Sequence, residues 1–149
     1  MVNSHEKCSN GHTLALAILR VVLGFIFAVH GWQKYNDIGI AGMQAGFGQM
    51  GVPNAEVLAV LVILLELVGG TLLILGFLSR PIASLLAVEM IGALVLVHAP
   101  NGFFVNENGY ELVLILAAAA LTIALAGPGR FSLDYAVFGR RKTKLSALA

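Results

Sequence analysis

Six ionisable side chains, Arg20, His30, Glu66, Glu89, His98 and Glu111, stand in or at the edges of segments that are otherwise apolar enough to cross a bilayer. A charged side chain at mid-membrane costs roughly 2.5 to 3.5 kcal/mol, so several in one small chain imply mutual pairing, a wet cavity, or both. Carboxyl and imidazole groups beside an apolar channel can hydrogen-bond a small polar headgroup and give it a proton route. Lys34 and Asn108, close to the same set in the chain, add further polar candidates.

Positioning these groups falls to four apolar segments, over about 13–35, 55–78, 81–98 and 109–126. Each meets the roughly 17 to 25 residues that a helix needs to cross about 30 Å of hydrocarbon. Pro53 and Asn54 open the second, Ser79 and Pro81 supply a cap and a first-turn proline for the third, and Pro100 closes it. Gly127, Pro128 and Gly129 stop the fourth. The fold class expected is all-α, an integral membrane four-helix bundle. Its parts are an N-terminal tail over 1–12, a membrane domain over 13–134 and a basic C-terminal tail over 135–149. The first segment is interrupted by Arg20 and lacks a small-residue cleavage pattern, so it reads as an anchor and not as a cleaved signal.

An even number of spans puts both termini on one side. Lys7, Arg80 and the basic cluster Arg130, Arg140, Arg141, Lys142 and Lys144 share it, whereas the opposite loops carry only Lys34. Both termini are therefore expected in the cytoplasm, in a multi-pass bacterial or archaeal cytoplasmic membrane protein. The glycine-rich stretch from Asn36 to Asn54 reads as an interfacial loop, partly helical where its backbone is satisfied.

Helical phase brings the polar groups toward the close-packing faces. At 100° per residue, Gly24, Gly31 and Lys34 fall within about 40° of Arg20, so small residues let a neighbouring helix approach that stripe. Glu66 shares a face with Gly69 and Gly70, and Glu111 with Ala118 and Thr122. Glu89 and His98 lie about 180° apart on an ideal helix and share a face only if the helix unwinds near Pro100. Depth, counted at 1.5 Å per residue, splits the set. Arg20, Glu66 and Glu89 form an expected inner cluster, leading to an outer mouth of His30, His98 and Glu111.

Composition excludes other classes. The chain has 149 residues, 58% hydrophobic and 11% charged, against roughly 25% charged in a soluble domain. No aromatic platform accompanies the basic tail, so it reads as a contact to anionic lipid and nucleic acid is not an expected partner. Cys8 is the single cysteine, which removes an internal disulfide and CxxC exchange. No GxGxxG follows a strand, so there is no flavin or nicotinamide fingerprint.

The runs LRVVLGFIFAVHGWQKY (Leu19 to Tyr35) and LLELVGGTLLILGFLSR (Leu64 to Arg80), then His98, NGYELVLIL (Asn108 to Leu116) and GPGRFSLD (Gly127 to Asp134), together resemble the DoxX family. The resemblance implies a small four-helix membrane protein with redox or oxidative-stress partnerships. Its polar motif positions fall on Arg20, His30, Lys34, Glu66, Arg80, His98, Asn108 and Glu111. Glu89 enters the inner cluster by depth alone.

The leading expectation is a quinone-associated component of a membrane redox or detoxification system, with His30, Lys34, His98, Asn108 and Glu111 as ligand-binding candidates. Electron transfer would need a partner or a bound cofactor. Alternatives are a non-enzymatic scaffold recruiting soluble redox enzymes and a small-molecule or proton-coupled transporter, which would require a homo-oligomer. Haem between His30 and His98 is less favoured, because their phases do not establish convergence. No metal site is expected, since neither Glu66 nor Glu111 has a histidine three residues on.

Overall fold

The computed structural model describes the backbone of residues 4–138 and the side chains of residues 11–137. Helix α1 (Ser4–Gln33) runs through a π turn (Lys34–Ile38) into α2 (Gly39–Gln49). After a tight turn come α3 (Ala55–Leu64), a second π turn (Leu65–Gly69) and α4 (Gly70–Leu75). Then follow α5 (Ser79–Ala93), a third π turn (Leu94–His98) and a 3-10 turn (Ala99–Asn101). Another 3-10 turn (Val105–Glu107) precedes α6 (Glu111–Ala126), and the short α7 (Leu133–Phe138) ends the described chain. The all-α bundle expected from the sequence is the one observed.

Three of the helical runs, Gly11–Gln49, Ala55–Leu75 and Ser79–Asn101, are long and apolar enough to cross a membrane. Helix α6 is apolar but has 16 residues, one short of the usual range. Outward faces carry Phe25, Trp32, Leu61, Val88, Ile115 and Leu125, as lipid contact requires. Inside, Leu23, Phe27, Leu73, Leu86, Ala87, Ala120 and Ile123 form the main core, with α5 on α6 and α1 on the second span.

Helix boundaries differ from expectation at two places. The segment expected as an N-terminal tail is helical from Ser4, and the first helix does not end near Tyr35. It continues to a bend at Gly39, whose φ of 75° suits glycine, and α2 then folds back on α3 through Met43, Phe47, Ala59 and Ile63. The glycine-rich stretch is therefore mostly helical, so its backbone groups are satisfied internally. Residues Arg140 to Lys144 of the basic tail lie outside the described residues.

Close packing of α1 on the second span follows the glycine stripe. A Cβ on Gly24 would sit 2.6 Å from the Gly70 carbonyl oxygen, and one on Gly70 would sit 2.6 Å from the Ala28 nitrogen. Gly31 rests on the backbone of Glu66 and Leu67, with 2.9 Å from a hypothetical Cβ to the Glu66 carbonyl carbon. On α6 the expectation fails. Ala118 and Thr122 are exposed, and the buried face is Val113, Leu116, Ala117, Ala120 and Ile123. The Thr122 hydroxyl instead donates to the Ala118 carbonyl one turn back, at 2.8 Å.

Candidate functional site

Lys34 opens the first π turn and Glu66 lies in the second. A π turn inserts one residue into a helix and is common at functional sites, because it redirects side chains that regular phase would place elsewhere. The Gly31 contact brings the two turns together, and the Lys34 ammonium forms an ion pair with Glu66 Oε2. Glu66 is 2% exposed and Lys34 25%. Glu89, from α5, places its carboxyl beside both. Lys34 balances one of the two carboxyls, and Glu89 Oε2 is buried with no donor among the described residues.

Next to this set is a cavity of about 320 Å³. Lys34, Glu89 and His98 are its ionisable lining, and Phe47, Met50, Val62, Leu96 and Val113 contribute to apolar walls. Its size falls within the roughly 300 to 1,000 Å³ of small-molecule sites, as does the pattern of few polar groups in apolar walls. Met50 and Leu96 are exposed, so the cavity opens to the outside of the bundle.

The third π turn resolves the phase conflict on α5. One inserted residue shifts the following face by about 100°, which reduces the separation of Glu89 and His98 from about 180° to about 80°. Both therefore line one cavity. Beyond it, His98 Nδ1 lies 2.8 Å from the Asn108 carbonyl oxygen. A carbonyl only accepts, so Nδ1 carries the hydrogen and Nε2 of the neutral ring is an acceptor.

Asn108 thus contributes its backbone, in a left-handed conformation at φ 61°. Glu111 is separate from the cavity lining: its Oε1 accepts the Val105 N–H at 2.7 Å and ties down the outer loop. The expected convergence of His30, His98 and Glu111 is not formed. His30 Nδ1 lies 2.8 Å from the Ile26 carbonyl oxygen of its own helix, and His30 does not line the cavity that His98 lines. The two histidines thus have separate partners, His30 on its own helix and His98 on the outer loop. Among the described residues, no group of three or more His, Cys, Asp or Glu side chains is arranged to hold a metal ion.

Arg20 is likewise not part of the inner cluster. Its Nη1 donates to the Leu73 and Ile74 carbonyls, each at 2.7 Å, and Nη2 to the Phe131 carbonyl at 2.6 Å. The reason is the end of α4. Last-turn carbonyls lack helical partners and carry the negative end of the helix dipole, which a guanidinium satisfies with several donors. Gly76, at φ 72°, turns the chain against the Arg20 side chain where a Cβ would not fit.

Asp134 completes that end and was not among the candidates read from the sequence. It is fully buried, its Oδ1 and Oδ2 accept the Leu78 and Ser79 N–H groups at 2.8 and 2.9 Å, and its own N–H donates to the Gly76 carbonyl. A residue 55 positions away therefore caps α5, in place of the Ser79 hydroxyl expected to do so. The signal available was an aspartate closing the GPGRFSLD run.

Comparison with known proteins agrees with this architecture. A DoxX family model matches residues 15–99, more than half of the 149. An uncharacterized protein of Haemophilus influenzae is 37% identical over 126 residues, covering 83% of this chain and 90% of its own length. "Putative oxidoreductase CatD" of Bacillus subtilis is 34% identical over 131 residues, with 87% and 92% covered. Inner membrane protein YqjF of Escherichia coli is 32% identical over 121 residues, with 81% and 90% covered. No solved structure matches. The apolar spans, the glycine-packed first pair of helices and this coverage together make the chain a multi-pass cell-membrane protein of the DoxX family.

Proposed function

We propose that the cavity beside Lys34, Glu89 and His98 receives the headgroup of a membrane quinone, making the protein a quinone-associated component of a membrane redox system. The observation that carries this reading is one apolar cavity with three ionisable groups along its lining. An aromatic headgroup fits apolar walls, and its two oxygens need hydrogen-bonding partners. Interconversion of quinone and hydroquinone takes two electrons and two protons. In this reading Glu89 and His98 exchange the protons, and a soluble oxidoreductase partner supplies or accepts the electrons. The relative whose name reads "Putative oxidoreductase CatD" supports the general direction.

The test is purification in a mild detergent followed by extraction and identification of bound quinone. Near-stoichiometric quinone plus hydroquinone, depleted in Gly92→Leu, is expected. Quinone at the proportion of the bulk membrane, unchanged by that substitution, would overturn the reading.

A scaffold role has one specific support, and it concerns a different part of the molecule. Arg20 and Asp134 join the first span, the second span, α5 and the segment after α6 into one end structure. That end could present a fixed surface to a soluble enzyme. A pull-down that loses its enzyme on Asp134→Ala but not on Glu89→Leu would favour the scaffold.

A further inference from the structure

The geometry points to selectivity of this site for the reduced, hydroxyl-bearing form of the headgroup over the oxidised quinone. The inference rests on the cavity reading above and concerns the sign of the hydrogen-bonding groups that the chain presents. His98 Nδ1–H is committed to the Asn108 carbonyl, so Nε2 of the neutral ring meets a ligand as an acceptor. Glu89 adds a carboxyl to the cavity lining, and its buried Oε2 has no hydrogen-bond partner among the described residues. The Glu66 carboxyl lies against that of Glu89, and a carboxyl that turns one oxygen to such a neighbour keeps the other as an acceptor toward the cavity. The soft terminal torsion of glutamate lets either oxygen face the cavity. Among the described lining side chains, Lys34 is the donor with hydrogens to spare, since Glu66 takes one of its three.

A quinone carbonyl can accept from Lys34, but against Glu89 or His98 Nε2 it sets lone pair against lone pair. One hydroxyl accepts from Lys34 while donating to Glu89, and the second hydroxyl can donate to His98. The reduced form therefore satisfies groups that the oxidised form leaves unpaired. An unsatisfied buried polar group costs about 1 to 3 kcal/mol, and a site built around a hydroxyl rejects the analogue lacking it more strongly than a hydrophobic pocket rejects a methylene.

The experiment measures binding of duroquinone, durohydroquinone and the dimethyl ether of durohydroquinone to the detergent-purified protein by anaerobic equilibrium dialysis. These share one methylated ring and differ in their oxygens. Durohydroquinone is expected to bind at least tenfold tighter than the other two, which for a two-electron couple raises the potential of the bound pair by about 30 mV. In Glu89→Leu, checked for an unchanged elution volume, the preference is expected to fall below threefold. Equal affinity for the two redox forms, or tighter duroquinone, would overturn the selectivity while leaving the cavity reading standing. Failure of all three to bind would overturn both.

Discussion

Lys34 and Glu66, 32 positions apart, form an ion pair in which each residue belongs to its own π turn. Regular helices would carry those side chains elsewhere, so the distortions and the pair are one arrangement. Lys34→Met strands a buried carboxyl and is expected to lower stability by roughly 2 to 3 kcal/mol, less than the 3 to 5 for a fully buried pair because Lys34 is 25% exposed. Lys34→Met with Glu66→Leu should recover most of the loss. Thermal unfolding in detergent checks this, and a double variant as unstable as the single would contradict it.

Arg20 has a different partner set, which gives a second expected outcome. In double-mutant cycles, Arg20→Leu should couple to Asp134→Ala, which shares the same end structure. With Glu89→Leu it should be additive within about 0.5 kcal/mol, as for sites without shared partners. Coupling to Glu89 instead would restore the inner cluster expected from phase and depth.

Glu111 ties down the outer loop through the Val105 N–H. Glu111→Ala should speed amide exchange over residues 103–108 and leave ligand affinity within about twofold, because this side chain does not line the cavity. Loss of binding without faster exchange would return Glu111 to the ligand site.

Orientation follows from the basic residues. In a Cys8→Ser background, Asn106→Cys should react with an impermeant maleimide on intact cells, and Arg130→Cys only after permeabilisation. The reverse pattern would contradict termini in the cytoplasm.

The polar residues and the glycine stripe were legible in the sequence because composition, helical period and small-residue spacing act locally. Gly24, Gly31 and Gly70 pack as their phase requires. The partnerships were not legible, for two physical reasons. Each π turn adds a residue to the helical count, and a phase calculation that assumes 100° throughout separates Glu89 from His98 when the fold places them on one cavity. Charge pairing is the obvious remedy for a buried cation, and by phase and depth it points Arg20 to the carboxylates. The carbonyls of a helix end, at Leu73 and Ile74, which have lost their regular helical partners, offer another remedy that spacing alone does not reveal.

Gly92 gives the most direct access to the cavity proposed to hold the headgroup. Gly92 lines the cavity, and a Cβ there would meet no atom within 4 Å, so Gly92→Leu can fill the space without displacing backbone. Ala118→Leu, on the exposed face of α6, adds the same side chain outside the cavity. Dialysis with duroquinone and durohydroquinone is expected to show at least a tenfold loss of affinity for whichever form binds in Gly92→Leu and no change in Ala118→Leu. Wild-type affinity in Gly92→Leu would contradict the account.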